Sequence, residues 1–198
     1  QMEMNRLLEG RPGCGVAIAI PSGEILAAAS SPAFDPNLQL SALSEKDWRA
    51  LVEDPAKPFF NRILQATYPP GSLYKAVTAL AGLHAGVIDT FTTLSPCGGG
   101  YRFGNRVFRC WEHRGHGTLN LTGALAHSCD VYFYQVGLKL DVDTLADAAH
   151  ALGLGSPVTG VFREEAGGNV PTSAWYDERF GVRAWTRSVL LNNAIGQG

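Results

Sequence analysis

Apolar residues recur along this chain at two spacings, one helical and one typical of strands. Leucine and valine at helical spacing predict a helix over residues 72–85, which Gly86 ends. Two short apolar runs joined by Pro-Ser-Gly predict a β-hairpin over residues 14–30. Capping residues and apolar spacing together predict further helices at residues 44–53, 121–127, 142–151 and 185–192, and one that begins at Asp130. The pattern therefore predicts a hairpin followed by mostly helical structure.

The first candidate for chemistry is the entry to the helix over residues 72–85. Residues 68–75 read Tyr-Pro-Pro-Gly-Ser-Leu-Tyr-Lys, and the prolines prevent a helix from starting before Ser72. Lys75 follows three residues later, so its amine lies one turn away on the same face as the hydroxyl. Burial and the positive end of the helix dipole both favour the uncharged amine, which can take a proton from a serine. Ser72 and Lys75 are the candidate nucleophile and base; a helix cap beside a solvated lysine is the alternative.

A second candidate lies between two predicted helices, at Ser128-Cys-Asp130. A serine followed two residues later by a carboxylate is common as a helix cap, so the triplet alone carries little weight. Its distance from Ser72 and the Tyr-Phe-Tyr-Gln that follows it favour a role in the same site.

Three of the four cysteines and one histidine form a pattern in the glycine-rich segment 97–129. The spacing is C-x12-C-x5-H-x12-C, contributed by Cys97, Cys110, His116 and Cys129. Three thiolates and an imidazole complete the tetrahedral ligand set of a structural zinc ion. His113 is a competing imidazole. We expect Cys14 to lie in the core and the remaining histidines to be surface or satisfied residues, namely His84, His127 and His150.

The amino-acid composition limits the functional classes to which this chain can belong. Of the 198 residues, 45% are apolar and 17% are charged, which is typical of a globular domain. The net charge is −2 without a basic stripe, which argues against nucleic acid as a partner. The apolar runs are too short to span a bilayer. Neither end carries a terminal element, so we expect a piece of a longer protein, with any membrane anchor outside it.

Several of these stretches together resemble the penicillin-binding transpeptidases, and within them the class B enzymes of cell-wall elongation. The resemblance rests on the hairpin with its Ser-Pro ending, the Phe34-Asp-Pro-Asn turn, residues 68–75, Ser128-Cys-Asp and residues 193–198. It implies an α+β fold in which an antiparallel sheet is sandwiched by helices beside a mainly helical lobe. Residues 1–198 would be the N-terminal and middle part of one such domain. They would include the first hairpin and the lobe over residues 61–198, without the later strands and closing helix.

The resemblance also implies an activity. Ser72 would attack the D-Ala-D-Ala carbonyl of a peptidoglycan stem peptide, with Lys75 as base, and β-lactams would acylate the same hydroxyl. Ser128 would relay a proton to the leaving amine and Asp130 would order the site, without a catalytic cofactor. The family's third motif, Lys-Thr-Gly, is absent here, so we expect weak or no turnover from these residues alone. The implied partners are shape-determining membrane proteins of the elongation machinery, at the periplasmic face of the bacterial inner membrane.

Alternatives remain open at both sites. Outside the cytoplasm thiols oxidise, so a Cys97–Cys110 disulfide is the first alternative to zinc, and unlinked buried thiols are the second. A β-lactamase or β-lactam sensor shares the serine motif; no motif for a deacylating glutamate is apparent, although Glu164-Glu165 lies in a loop and stays open as a candidate. A zinc-stabilised interaction module, in which Ser72 only caps a helix, would not be an enzyme. A Ser-His-Asp hydrolase is disfavoured because no Gly-x-Ser-x-Gly elbow is present.

Overall fold

The computed structural model describes residues 1–39, 43–160 and 162–198. Two compact units are present, one formed by Gln1–Thr67 with Thr159–Ala166 and the other by Tyr68–Val158 with Gly167–Gly198. Proline, glycine and asparagine residues predict loops over residues 31–43 and 160–172, and part of each lies outside the described residues. The sequence-based boundary at residue 61 and the assignment of the chain to one domain remain predictions.

The first unit is built on a hairpin at the position that the apolar runs predicted. Strand β1 (Gly13–Ile18) pairs antiparallel with β2 (Ile25–Ser31), in a register that aligns Gly13 with Ser31. Helix α1 (Met2–Leu8) packs on this hairpin, and α2 (Glu45–Glu53) follows later in the chain. The Ser44 hydroxyl accepts from the backbone N–H of Asp47 at 3.2 Å, which explains why α2 begins where the sequence predicted.

The hairpin corrects one prediction. Gly15 lies against Met4 of α1, where an added Cβ would come within 3.1 Å of the sulfur. Neighbouring strand residues point to opposite sides of the sheet. Cys14 and Val16 therefore point away from that helix, and both are exposed. The prediction that Cys14 belongs to the core is wrong, because an apolar run does not tell which side of a strand is covered.

The second unit contains both candidate sites. Its helices in the described residues are α3 (Tyr74–His84), α4 (Leu121–Ala126), α5 (Asp130–Lys139), α6 (Val142–Ala151), α7 (Ser173–Phe180) and α8 (Val189–Asn193). Helix α5 is central, since α3 and α8 pack against it and residues 131–137 are all buried. Burial of this apolar surface stabilises the unit. It also holds the first turns of α3 and α5 in place, and the candidate residues lie there. Across the residues that can be described, no helix combines the length and apolar character needed to cross a membrane.

Side-chain caps set several of these boundaries. Asn120, Asp141 and Thr172 each accept from a backbone N–H three residues later, which starts α4, α6 and α7. The sequence did not predict α7. It also placed the last helix four residues too early, at Trp185. That indole instead packs on Tyr176 of α7, with ring centroids 5.2 Å apart.

A second hairpin, also not predicted, lies in the glycine-rich segment. Strand β3 (Gly100–Phe103) pairs antiparallel with β4 (Arg106–Arg109). Beyond it, Cys97 and Gly117 exchange backbone hydrogen bonds of 2.8 and 3.0 Å. Gly115 has a φ of +84°, and a Cβ there would collide with the Cys97 carbonyl. Glycine thus lets the two ends of the segment approach each other, and this brings its cysteines together.

Candidate active site and metal centre

Ser72 lies in a short 3-10 turn, Gly71–Leu73, that leads directly into α3. Its side chain is exposed, whereas Lys75, one turn later, is 1% exposed. The sequence predicted partial burial of Lys75, but it placed Ser72 on the same helix face and did not predict that the hydroxyl would be exposed. The structure therefore presents a hydroxyl to solvent above a buried amine.

Lys75 donates to four oxygen atoms at the junction of α3, α4 and α5. Its Nζ lies 3.2 Å from Ser72 Oγ, 2.9 Å from Ser128 Oγ, 2.8 Å from the Ser128 carbonyl oxygen and 2.6 Å from Asp130 Oδ1. The structure thus brings together all four residues that the sequence singled out for catalysis. An ammonium has three N–H bonds, so the longest contact, to Ser72, is the one most easily given up.

Ser128 links its own triplet, Ser128-Cys-Asp130, to the Ser72 and Lys75 pair. Its hydroxyl donates to Ser72 Oγ at 2.9 Å while accepting from Lys75, which makes a continuous path between amine and hydroxyl. Ser128 has a φ of +50°, a left-handed conformation that is uncommon for serine. Because of this turn, both its carbonyl and its hydroxyl face Lys75. Backbone strain of this kind costs about 1–3 kcal/mol and is typical of functional sites.

Asp130 uses its two carboxylate oxygens for different partners. Oδ1 accepts from Lys75, and Oδ2 accepts from the backbone N–H of Trp111 at 3.1 Å. The Trp111 indole N–H also reaches the carbonyl oxygens of His127 and Ser128, each at 3.1 Å. Trp111 was not among the residues predicted for the site; its position directly after Cys110, a predicted zinc ligand, was the available signal.

The Ile-Gly-Gln-Gly turn near the end of the chain packs behind the serine motif. Gly71 donates its N–H to the Gly196 carbonyl at 3.0 Å, and the Thr78 hydroxyl donates to the Ala194 carbonyl at 2.8 Å. Gly196 has a φ of +69°, and a Cβ at that position would lie 2.7 Å from the Cβ of Tyr74. Only glycine fits there, so residues 193–198 fix the turn that carries Ser72.

The four predicted zinc ligands also come together. One ligand atom from each of Cys97, Cys110, His116 and Cys129 can be chosen so that all lie within 4.8 Å of one another. Cys110 Sγ is 3.6 Å from His116 Nδ1. An edge of about 3.6 Å is expected between sulfur and nitrogen in a tetrahedral zinc site. The competing imidazole, His113, is exposed and is not in the group.

The three thiols influence one another's ionisation. Burial raises the pKa of Cys97, but hydrogen bonds from the backbone of Gly99 and His116 and from the neighbouring thiols outweigh it, so its pKa is lowered. Burial raises the pKa of Cys110, and it raises the pKa of Cys129 to about 12. Negative charge on Cys97 adds to both increases. Cys97 is therefore the first of the three to ionise, and its charge opposes ionisation of the other two unless a cation is present to neutralise them.

The sequence also made predictions about the exposure of the other histidines and the state of the cysteines. His84, His127 and His150 are exposed, as expected, and His150 Nδ1 contacts the Leu154 carbonyl at 3.0 Å. All four cysteines are free thiols in the structure. The Nε2 atom of His116 is buried and has no hydrogen-bond partner among the described residues.

The sequence matches the family described as penicillin binding protein transpeptidase domain, over residues 13–196. The peptidoglycan D,D-transpeptidase MrdA of Escherichia coli K12 is 38% identical over 200 residues, and that of Acinetobacter baumannii is 35% identical over 199. These alignments cover 100% of this chain but only 31% and 30% of the relatives. The chain thus spans about a third of the length of the curated relatives it matches.

Solved structures of penicillin-binding proteins also superpose on this chain. Pseudomonas aeruginosa PBP2 in complex with WCK 5153 superposes with a TM-score of 0.92 at 35% identity, covering 100% of this chain and 43% of that one. Helicobacter pylori PBP2 in complex with MreC gives 0.91 at 33%, covering 100% and 37%. The penicillin G acyl-enzyme of Mycobacterium tuberculosis penicillin-binding protein A gives 0.75 at 28%, covering 94% and 42%. The predicted α+β transpeptidase fold, present in part, is confirmed, and the chain belongs to the penicillin-binding protein transpeptidase domain family.

Proposed function

We propose that the protein containing this chain cross-links peptidoglycan by D,D-transpeptidation through an acyl-enzyme on Ser72. The observation that carries the proposal is the hydrogen-bonded network in which buried Lys75 contacts Ser72, Ser128 and Asp130. A helix cap would not need a buried amine paired with a carboxylate. Membership of the transpeptidase family supports the same reaction.

Lys75 is paired with Asp130 as an ammonium in the resting site, so it must first release a proton. The uncharged amine then takes the proton of the Ser72 hydroxyl, directly or through Ser128. The Ser72 oxygen then forms a bond to the carbonyl carbon of the penultimate D-Ala of a stem peptide. As the tetrahedral intermediate collapses, the C–N bond to the terminal D-Ala breaks. Ser128, 2.9 Å from Ser72 Oγ, is placed to pass the proton to the departing amine. An ester on Ser72 and a free D-Ala result.

Deacylation reverses these proton movements. An amine of a neighbouring stem peptide gives up a proton and attacks the ester carbonyl, so that a new amide bond forms and the Ser72 hydroxyl is restored. A β-lactam follows the first half only: its amide C–N bond breaks in the ring and the acyl group stays on Ser72. No step needs a cofactor.

The setting of the reaction is part of the proposal. Relatives of this chain are PBP2 proteins, one of them solved in complex with MreC. We infer a periplasmic site of action at the inner membrane and a partner of the MreC type. The 198 residues contain no Lys-Thr-Gly triplet, so we infer weak or no turnover from them alone, because nothing in the sequence supplies that part of the substrate site.

The direct test of the reaction uses the full-length protein with a donor peptide ending in D-Ala-D-Ala and an amine acceptor. Release of D-Ala with formation of the cross-linked product supports transpeptidation, and Ser72→Ala should abolish both. Release of D-Ala without cross-linked product would indicate a carboxypeptidase instead. No release from the wild-type protein, under conditions in which a related transpeptidase is active, would contradict the proposal.

The second proposal concerns the cluster of Cys97, Cys110, His116 and Cys129, which we infer to be a structural zinc site. Each of the three cysteines is at most 5% exposed, and the half-buried His116 ring directs Nδ1 to the cluster, 3.6 Å from Cys110 Sγ. Three thiols packed this closely repel one another once ionised, and a divalent cation removes that repulsion. The residues present therefore fit zinc.

When bound, the ion would hold the glycine-rich segment against the residue between Ser128 and Asp130. Its contribution would be structural, because the four ligands leave no open position for a water molecule. Native mass spectrometry tests the site: the wild-type protein should carry one zinc ion and Cys110→Ser should carry none. A metal-free wild-type chain two protons lighter than calculated would replace zinc with a disulfide.

A further inference from the structure

Trp111 contacts the Ser128-Cys-Asp130 triplet through both its backbone N–H and its indole N–H. Its side chain is in an exposed position, 59% accessible, yet the indole N–H lies 3.1 Å from two carbonyl oxygens, those of His127 and Ser128. Its backbone N–H lies 3.1 Å from Asp130 Oδ2. Trp111 thus contacts the backbone of His127 and Ser128 and the side chain of Asp130.

These contacts complete the coordination of Lys75. The Ser128 carbonyl oxygen accepts from both Lys75 and the Trp111 indole, which uses both of its lone pairs. The Asp130 carboxylate likewise has one oxygen on Lys75 and the other on the Trp111 backbone. Trp111 therefore binds one of the four oxygen atoms around the Lys75 amine directly and holds the carboxylate that supplies another.

Trp111 is itself anchored from its other side. The carbonyl of Arg109, two residues earlier, accepts from the Tyr134 hydroxyl at 2.9 Å. Cys110 donates its N–H to the Gly99 carbonyl at 3.0 Å. The ring packs edge-on to His116, with centroids 5.3 Å apart.

The left-handed backbone of Ser128 makes such support necessary. At φ +50° this peptide would relax to a more favourable conformation if its carbonyl were released. Relaxation would rotate the Ser128 carbonyl and hydroxyl away from Lys75. We propose that Trp111 is a positioning residue for the acyl-transfer reaction, which holds Ser128 and Asp130 in the geometry that serves Lys75; this inference rests on the proposed function.

The test compares acylation by a fluorescent penicillin in the full-length protein and in Trp111→Phe, resolving the binding constant from the first-order acylation rate constant. Phenylalanine keeps the backbone N–H and most of the ring but removes the indole donor. We expect a three- to tenfold slower rate constant with unchanged binding, which is the effect of one neutral hydrogen bond. A variant that only loosened the fold would lose binding, thermal stability or zinc content in parallel.

Trp185→Phe is the matched control, because it removes an indole hydrogen bond of 2.7 Å, to Asp177, on a helix that carries no catalytic candidate. Should Trp111→Phe fail to fold, benzothienylalanine at position 111 replaces the N–H by sulfur at nearly constant shape. A rate constant within twofold of wild type, or an equal loss in the control, would overturn the proposal. A wild-type protein that takes no adduct at all would overturn the proposed function, and this inference with it.

Discussion

Lys75 and Asp130 form an ion pair in which Nζ and Oδ1 are 2.6 Å apart and the side chains are 2% and 13% exposed. Their sequence separation of 55 residues means that α3 and α5 must both be in place before the pair can form. Burial makes the pair costly to break, because a lone ammonium in the interior has no water to solvate it. The candidate site is therefore coupled to the packing of the second unit.

Asp130→Ala should lower the free energy of unfolding by about 3 kcal/mol, because it leaves the buried amine without a counter-charge. Asp130→Asn should cost less, since its amide oxygen can still accept from Lys75. Denaturant unfolding measures both. Asp147→Ala removes an exposed carboxylate on α6 of the same unit and should stay within about 0.5 kcal/mol of wild type. Equal losses for Asp130→Ala and Asp147→Ala would show that the ion pair does not stabilise the fold.

A second prediction concerns Gly196, in the turn that packs against Gly71 next to Ser72. Gly196→Ala forces a Cβ against Gly71 and Tyr74, so we expect a loss of about 2–4 kcal/mol, combining left-handed strain with overpacking. Acylation of Ser72 should slow as well, because Gly71 must shift. Unfolding and acylation assays measure the two effects.

Gly86→Ala is the control for Gly196→Ala. Its φ of +66° nearly equals the +69° of Gly196, but a Cβ there meets nothing within 4 Å. This variant should show only the strain, about 1–2 kcal/mol, and normal acylation. If the two variants behave alike, the contact between residues 196 and 71 has no special importance.

The sequence was informative wherever function depended on local spacing. Ser72 and Lys75 share a helix face, so their proximity could be predicted from three-residue separation alone. Their meeting with Ser128 and Asp130 depends on tertiary packing, and it was suggested by the resemblance to known transpeptidases together with the position of the triplet in the sequence. The cysteine and histidine spacing also predicted which four side chains come together, and zinc binding at this cluster is a proposal.

What the sequence did not predict has different origins. The hairpin of β3 and β4 was a missed signal, because strand-forming aromatic and valine residues flank a Gly104-Asn105 turn. Trp111 acts through its N–H groups, and nothing in a sequence tells which carbonyl an indole will face. Cys14 was placed in the core from its apolar neighbours, although strand geometry exposes it.

Removal of metal should destabilise the protein. With free zinc at about a thousand times its dissociation constant, binding contributes about 4 kcal/mol, or a shift of about 8–16 °C in Tm. A strong chelator or Cys129→Ser should therefore lower Tm by that order, measured by scanning calorimetry. Exposed Cys14 provides the control, because Cys14→Ser should leave both Tm and zinc content unchanged. A Tm insensitive to chelator would argue against a structural metal.

Alkaline pH should weaken the second unit through Tyr74. Burial, with a smaller effect of nearby Tyr176, raises its pKa from 10.0 to about 12. A raised pKa contributes stability that is complete below pH 10 and is lost as pH approaches 12. Between pH 8 and pH 11 we expect a loss of about 1.4 kcal/mol from this group.

Tyr74→Phe should reduce that pH dependence, whereas Tyr68→Phe, at a residue 69% exposed, should not. Burial also raises the pKa of Tyr134, Tyr132 and Tyr176, so part of the alkaline loss should persist in Tyr74→Phe. Unfolding measured at several pH values separates the contributions. An identical pH slope in wild type and Tyr74→Phe would contradict this account.

The most direct test of the central claim is the intact mass of the full-length protein after incubation with penicillin G, followed by peptide mapping. The account predicts one added penicilloyl group on Ser72, lost in Ser72→Ala and formed much more slowly in Lys75→Ala. It also predicts a normal rate in Ser22→Ala, which changes an exposed serine of the other unit. An unmodified wild-type mass, or an adduct that survives Ser72→Ala, would contradict Ser72 as the nucleophile.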